Sequence, residues 1–445
     1  MRRTVAEGFG RALVVDALLY GGSAAFALLV LSSSSMLRNT TWAEFAWPAY
    51  AAGALAALLL ATVAGRLGRR RIAKARLLLA LGVLAGAAAV PLAFEVQWRA
   101  EPGHAPAGSL HPYAASEVVV TEGAAEALVR GRDPYSEHFT SGELAGRLPS
   151  TSEHFPYLPG MAVFGLPRAL LPNSPWTDAR IFFALATALV AAAALARWRA
   201  PPERRVRALQ VLVVLPTGAL ALVGGGHDMP VLALLLLALV LLERRRHAAS
   251  AGAIAAAALL KLTAWPLLFA FAVTDMSRDQ VPRHGRVGSP MVLAVGFVAL
   301  GVVLAVAAGP ADFADDVLLF PTGLTSLPSP AASTTLGSML LGAAGGPTLN
   351  ATRVALTLAL FAIAILGATA VLAMLAVRSA GPARATAAAS AAAVILLGLI
   401  MLSPVARTGY LVYPIDLLAW AFLLRPPQAT PAALPLTRTD EALAA

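Results

Sequence analysis

The sequence has no cysteine and little charge. Without cysteine, the chain has no disulfide, no zinc–thiolate site and no cysteine nucleophile. Only 13% of the 445 residues are charged and 58% are hydrophobic, whereas soluble proteins have about 25% charged residues. Such a chain cannot cover its apolar surface with polar groups in water, and a lipid bilayer removes that requirement. The composition therefore predicts an integral membrane protein.

The net charge of +10 does not indicate nucleic-acid binding. The Lys and Arg residues stand in short clusters beside apolar runs, without interleaved aromatic residues, and the strongest cluster covers 66–76. Such clusters are typical of cytoplasmic turns. The basic start of the chain leads directly into a long apolar run, which favours a retained first span over a cleaved signal peptide. The abundance of Ala, Arg and Gly suggests a bacterial source, and the basic clusters predict that both termini lie in the cytoplasm. We therefore expect a bacterial plasma-membrane protein.

Apolar runs long enough to cross a bilayer recur along the chain. A helix needs about 20 such residues. The stretch 248–273 has basic residues on both flanks and is interrupted by Lys261 and Pro266, which favours a broken hairpin with Lys261 near its outer tip over one tilted span. We therefore predict an all-α, polytopic transmembrane bundle of about 10–12 spans. The full crossings are predicted at 12–31, 45–64, 77–97, 178–196, 208–223, 229–242, 290–308, 353–377, 385–402 and 410–424.

Three parts are predicted along the chain. Residues 1–76 form an N-terminal helical hairpin with a basic cytoplasmic loop, 77–424 form the membrane core, and 425–445 form a disordered cytoplasmic tail. The polar stretch 98–157 is too long for an idle connection and is predicted to be a large, acidic external loop. The short apolar run 158–171 after it is expected to lie at the membrane interface.

The charge pattern favours chemistry at the outer membrane surface. The spans contain very few ionisable residues, whereas ion-coupled transporters usually carry them inside their helices. No convincing internal repeat is present. We nevertheless keep a multi-pass transporter or lipid flippase, without bond chemistry, as the alternative.

Four segments could carry the chemistry. They are, in chain order, Ser116–Tyr135, Phe155–Gly160, Gly224–Asp228 and Leu259–Pro266. The first is predicted to be a helix that begins with a Ser cap and an acidic first turn and is stopped by Gly131. The second opens the interfacial run, the third is a glycine-rich turn that presents an imidazole and a carboxylate, and the fourth is the break around Lys261.

These four segments, in this order, resemble membrane glycosyltransferases of the GT-C type. The resemblance is to glycosyltransferase family 87 and the related bacterial polyprenol-phosphate-mannose-dependent mannosyltransferases, and it covers about 77–424. The family's leading loop acid is usually Asp, where this chain has Glu117; its Tyr-Pro-Pro and Lys-Pro elements are also altered here. The matching elements are Gly131-Arg132-Asp133-Pro134-Tyr135, Tyr157-Leu158-Pro159-Gly160, His227-Asp228 and Leu259-Leu260-Lys261-Leu262-Thr263.

The resemblance implies an inverting transferase. It would move a hexose, mannose in the first instance, from a polyprenyl-phosphate donor to a lipid or glycan acceptor at the outer face. We assign no cofactor and no metal ligand from the sequence, which leaves metal dependence open. Glu117 is the first choice for the general base and Glu122 the second; five residues apart on a helix, they point about 140° apart. Lys261 and then Arg407 are the candidates for the donor phosphate. The substrate-binding candidates are Asp133, Tyr135, Tyr157, His227 and Asp228.

Simpler interpretations of the same residues stay open. The three glutamates of 117–126 could be the solvated face of a surface helix, and Lys261 and Arg407 could be interfacial anchors. His227 and Asp228 could only cap the next helix. Tyr410 and Tyr413 are expected in an aromatic belt. For Asp312, Asp315 and Asp316, a plain acidic loop is favoured over a metal cluster.

Overall fold

The computed structural model describes residues 2–101, 114–140, 142–144, 154–276, 290–325, 335–343, 350–378 and 384–425. Regular structure in these residues is helical and includes no strand, which confirms the predicted all-α class. The predicted tail lies almost wholly outside them. The α-helices are Arg2–Ser33, Leu37–Val63, Arg69–Leu84, Val90–Ala100, Ser116–Val129, Leu166–Leu170, Ala179–Arg197, Pro202–Leu209, Pro216–Gly224, Asp228–Glu243, His247–Leu260, Trp265–Met276, Pro290–Ala308, Pro310–Ala314, Phe320–Thr322, Leu336–Ala343, Ala351–Arg378, Arg384–Leu402 and Val412–Leu423.

Tighter and wider helical turns join several of these helices. Three π turns continue α-helices without a break, at Ala85–Ala89, Gln210–Val214 and Asp315–Leu319. The 3₁₀ turns are Ala64–Arg66, Gly142–Leu144, Pro159–Gly165, Pro175–Thr177, Leu262–Ala264 and Thr408–Leu411.

Seven helices in the described residues are long and apolar enough to cross a membrane, which supports a polytopic bundle. An eighth candidate is the pair Pro202–Val214 and Pro216–Gly224, bent by 40° where Pro216 cannot continue the helix. The predicted 10–12 spans are reached only if the shorter apolar helices also count. The seven are Gly10–Ser33, Leu37–Arg66, Arg69–Ala100, Ala179–Arg197, Pro290–Ala308, Ala351–Ala376 and Arg384–Leu402.

The helix Asp228–Glu243 lies at the centre of the bundle. It is apolar on all sides, and most of its side chains are fully buried, as expected for a helix surrounded by others. It packs between Ala179–Arg197 and His247–Leu260. Its first residue, Asp228, therefore lies at one end of a fixed central element.

The stretch 248–273 forms a broken hairpin. The helix His247–Leu260 ends at Lys261, whose backbone is extended, and Trp265–Met276 begins after a short 3₁₀ turn. Phe271 lines one small cavity together with His247 and Ser250, so the second helix returns to the end from which the first began. The structure thus has the hairpin rather than the single tilted span. Pro266 is the second residue of the second helix, a position where a missing N–H costs no helical hydrogen bond.

The few ionisable residues in and beside the predicted spans include buried ion pairs. Arg76 donates two hydrogen bonds to Asp16, at 2.5 and 2.9 Å, and both side chains are fully buried. Arg180 donates to Glu95 at 3.1 Å, also without exposure. Such charges are tolerated in an apolar interior because each has a partner.

The N-terminal hairpin is joined to the rest of the bundle by side-chain hydrogen bonds. Trp42 donates its indole N–H to the Ala87 carbonyl at 2.8 Å. The Tyr50 hydroxyl donates to the carbonyl of Val214 at 2.6 Å. The hairpin therefore packs against the membrane core, and its predicted boundary at residue 76 stays a prediction.

Candidate active site

Four chain segments meet at the end of the bundle that holds Asp228. The backbone N–H of Ala115, which precedes the helix Ser116–Val129, donates to the Gly224 carbonyl at 3.0 Å. The backbone N–H of Leu158 donates to the Leu260 carbonyl at 3.3 Å. These two bonds bring the first predicted segment to the third and the second to the fourth. Below, this meeting point is called the site.

Asp228 is the polar centre of the site. It pairs with the Lys261 ammonium group, and its Oδ1 also accepts a hydrogen bond from the Tyr413 hydroxyl at 2.6 Å. The other carboxylate oxygen lies 3.2 Å from Nε2 of His227. Asp228 therefore does more than cap its helix: it holds three side chains from three separate parts of the chain.

Lys261 lies among aromatic rings. Its Nζ is 5.5 Å from the ring centroid of Tyr157 and 5.0 Å from that of Tyr410. The Tyr157 and His227 rings are 5.3 Å apart. Cation–π attraction adds to the ion pair with Asp228 in fixing the ammonium group. The Lys261 side chain is directed into the protein and is only 8% exposed, so it does not act as an interfacial anchor.

Glu117 and Arg407 form the second ion pair of the site. Burial alone would raise the pKa of Glu117, but the charges of Arg407 and His227 outweigh it and lower this pKa to about 2. The pKa of Arg407 is raised by Glu117 despite burial. Glu117 is mostly buried, whereas the Arg407 side chain is 40% exposed. A ligand can therefore reach the arginine of this pair.

The turn before Asp228 depends on glycine. Gly226 has a φ of +74°, in the left-handed region, and this lets the chain reverse between two helices. A Cβ at this position would also lie 3.2 Å from Phe183. The Gly-Gly-Gly-His-Asp segment thus places His227 and Asp228 side by side at the helix start.

Glu122 lies in a different cluster. Both of its oxygens accept from Arg99, at 3.1 and 2.6 Å, and one also accepts from the backbone N–H of Ala179 at 2.9 Å. Arg99 further holds Glu143 and Asp178. Glu122 and Glu117 therefore lie in separate clusters. This agrees with their predicted separation of about 140° around the helix.

Asp133 and Tyr135 support the segment that carries Tyr157. Asp133 accepts from the backbone N–H of Tyr135 at 3.1 Å, and the Tyr135 hydroxyl donates to the Tyr157 carbonyl at 3.0 Å. Neither side chain pairs with Lys261. In this geometry they hold the segment that carries Tyr157.

The helix Ser116–Val129 starts differently from the prediction. Its N-cap is Ala115, which has no side-chain hydrogen-bond acceptor, and Ser116 is already the first helical residue. The predicted Ser cap is therefore wrong. Glu117 does lie in the first turn, and Gly131, with a φ of +70°, follows the end of the helix.

Tyr410 and Tyr413 were expected in an aromatic belt, yet both contact the site. Tyr413 donates to Asp228, and Tyr410 faces Lys261. Tyr410 and Tyr413 are three residues apart in consecutive helical turns, so their side chains lie on one face, and Arg407 precedes them with an extended backbone. That spacing is the sequence signal that would have grouped them.

Comparison with protein families assigns a large part of the chain to a known family. A family model described as Glycosyltransferase family 87 matches residues 155–410, which is more than half of the chain. The matched stretch contains Tyr157, Asp228, Lys261 and Arg407, whereas Glu117 precedes it. Comparisons with curated proteins and with solved structures gave no match.

Proposed function

Because the chain belongs to glycosyltransferase family 87 and is a membrane glycosyltransferase, we propose that it moves a hexose from a polyprenyl-phosphate donor to a lipid or glycan acceptor. Mannose is the first candidate for the sugar. Family membership favours this over the transporter or flippase alternative, since transfer forms and breaks a glycosidic bond.

One observation carries the proposal: the site holds two carboxylate–cation pairs, Glu117–Arg407 and Asp228–Lys261. Glycosyl transfer to a hydroxyl needs a carboxylate to accept a proton and cations to stabilise the departing phosphate. The site supplies both kinds of group close together, because the ring of Tyr410, three residues after Arg407, lies 5.0 Å from the Lys261 ammonium nitrogen.

In the proposed reaction the acceptor hydroxyl oxygen attacks the anomeric carbon of the donor sugar. The bond from that carbon to the phosphate oxygen breaks, and its electron pair leaves with the polyprenyl phosphate. The hydroxyl proton passes to Glu117. Attack opposite the leaving group inverts the anomeric configuration.

Arg407 and Lys261 are proposed to bind the donor phosphate. A phosphate that approaches the exposed Arg407 competes with Glu117 for its guanidinium group. As this partner is shared, the pKa of Glu117 rises from about 2 toward its ordinary value. Donor binding thereby makes the carboxylate a better base, because an efficient base has a pKa nearer the working pH.

The orientation of the bundle follows from its charges. The helix that starts at Asp228 ends beside Arg244, Arg245 and Arg246. The positive-inside rule places such basic turns in the cytoplasm. We therefore assign the site to the outer face of a bacterial plasma membrane, where a polyprenyl chain can enter from the lipid.

A direct transfer assay tests the proposal. The purified chain in lipid nanodiscs would be given radiolabelled polyprenyl-phosphate mannose, polyprenyl-phosphate glucose or GDP-mannose, with bacterial membrane extract as the acceptor. We expect label to move from a polyprenyl-phosphate sugar and not from the nucleotide sugar. Transfer from GDP-mannose alone would refute the proposed donor class.

A further inference from the structure

A second cluster of ionisable side chains lies outside the site. His154 lies near the end of the external loop, and Asp315 and Asp316 lie in the π turn that continues the helix Pro310–Ala314. The Nδ1 atom of His154 is 2.5 Å from Oδ1 of Asp316 and 3.9 Å from Oδ2 of Asp315. One nitrogen or oxygen from each of the three residues lies within 4.8 Å of the other two.

His154 is held with its ring facing the carboxylates. Its side chain is 7% exposed, and Phe320 stacks on the ring at a centroid distance of 4.3 Å. Its Nε2 atom is buried and has no hydrogen-bond partner among the described residues. Asp316 is fixed from a second direction, because its Oδ2 accepts from the backbone N–H of Phe155 at 2.7 Å.

More negative charge lies close by than the imidazole can balance. A Cβ at Gly309 would collide with the Asp133 carboxylate and touch that of Asp312, so these two carboxylates adjoin one backbone position. Within the part of the chain that the structure describes, no Lys or Arg forms an ion pair with Asp133, Asp312, Asp315 or Asp316. Like charges gathered in this way oppose ionisation unless a cation joins them.

We propose that His154, Asp315 and Asp316 bind a divalent first-row transition-metal ion, Mn²⁺ or Zn²⁺. One imidazole with two carboxylates suits these ions, whereas Mg²⁺ and Ca²⁺ prefer sites made only of oxygen. Metal–ligand bonds of about 2.1 Å place neighbouring donor atoms about 3 Å apart. The two distances from Nδ1, 2.5 and 3.9 Å, lie on either side of that separation.

The ion enters from the side of Asp315. The Asp315 side chain is 49% exposed, whereas that of Asp316 is 4% exposed. Solvent can therefore deliver the ion and complete its coordination shell with water, while the two buried ligands set its position.

The bound ion joins two segments of the chain. His154 begins the segment that continues to Tyr157, and Asp316 belongs to the helical segment 310–322. Tyr157 faces Lys261, and its carbonyl is held by Tyr135, whose ring packs on Phe313 at 5.0 Å. The ion thus stabilises the position of Tyr157 without touching substrate. This inference stands independently of the proposed donor, acceptor and sugar.

Metal binding to the full-length protein tests the inference without an activity assay. The purified chain would be stripped with chelator and titrated with Mn²⁺, with free Mn²⁺ followed by electron paramagnetic resonance and thermal stability measured in parallel; Zn²⁺ competition would follow. We expect one equivalent to bind and to raise the melting temperature. His154→Ala and Asp315→Asn should bind at least about tenfold more weakly.

Two comparisons keep this test decisive. Asp315 is half exposed and does not hold Phe155, so Asp315→Asn should keep the fold while losing the ion. His138→Ala removes an exposed histidine of the same external loop and should bind as the parent does. Absence of saturable binding of both Mn²⁺ and Zn²⁺, or undiminished binding by Asp315→Asn and His154→Ala, would overturn the inference.

Discussion

Glu117 and Arg407 are 290 residues apart in the chain, and their side chains form a direct ion pair at the site. The pair joins the first turn of one helix to the segment that precedes the last helix. It also joins the part of the chain before the family match to the part within it, since the match covers 155–410. The site is therefore complete only when both parts are folded together.

Replacing Glu117 with Gln should abolish most transfer. The amide keeps the shape of the side chain but cannot accept the hydroxyl proton, so kcat should fall about 10²- to 10⁴-fold. The transfer assay measures this, with size-exclusion profiles to establish folding. Glu126→Gln is the matched control, because Glu126 lies on the same helix with its side chain 47% exposed. A fully active, folded Glu117→Gln enzyme would eliminate Glu117 as the base.

Replacing Arg407 with Gln should change the pH profile. In the free parent enzyme, the pKa of Glu117 is about 2, so this residue stays ionised and causes no loss of kcat/KM between about pH 4 and 8. Without Arg407, burial is opposed mainly by His227, and the pKa of Glu117 rises. The acid limb of kcat/KM, which reports the free enzyme, should then move up into the measurable range. Arg130→Gln, at an exposed position, should leave the profile unchanged, and coincident profiles for the parent and Arg407→Gln would contradict this explanation.

The roles of Lys261 and Asp228 can be distinguished by a double-mutant cycle. Lys261→Met should lower kcat/KM about 10²- to 10³-fold because a cation beside the leaving phosphate is lost. If Lys261 contacts phosphate, adding Asp228→Asn should restore nothing. Recovery of activity in the double variant would mean that Lys261 serves only to neutralise Asp228. Donor KM and kcat for the four proteins provide the measurement.

Glu122 should matter for stability more than for chemistry. Glu122→Ala leaves the buried Arg99 with fewer partners and the backbone N–H of Ala179 unpaired. Breaking such a buried pair costs about 3–5 kcal/mol. Thermal unfolding should show the loss, whereas the exposed Glu126→Ala should change stability by no more than about 0.5 kcal/mol. Unchanged stability combined with lost transfer would instead point to Glu122 as a base.

Gly165 should not tolerate a methyl group. A Cβ there would meet the Thr121 carbonyl oxygen and come within 2.7 Å of the Glu122 Cα, and backbone atoms cannot move aside cheaply. Gly165→Ala should therefore separate the segment after Tyr157 from the helix Ser116–Val129 and lower both stability and transfer. Gly252→Ala is the control, because its Cβ would meet nothing within 4 Å. Similar melting temperatures for the two variants would show that the interface is looser than described.

Much of the architecture could be predicted from local sequence. Long apolar runs can be satisfied only by helices in a bilayer, so the all-α bundle follows from composition and span length. The break at Lys261 is predicted by Pro266 and by the basic flanks on both sides. Buried ion pairs such as Asp16–Arg76 could not be recognised, because partners 60 residues apart carry no shared local pattern.

The sequence by itself determined which residue types were available to the site: one acidic first turn, one glycine-rich turn and one lysine at a helix break. Only the tertiary structure decided which carboxylate meets which cation. It paired Glu117 with Arg407, placed Glu122 against Arg99, and brought Tyr413 to Asp228. The physical reason is that a helix fixes only the direction of each side chain, whereas the packing of neighbouring helices determines what lies there to receive it.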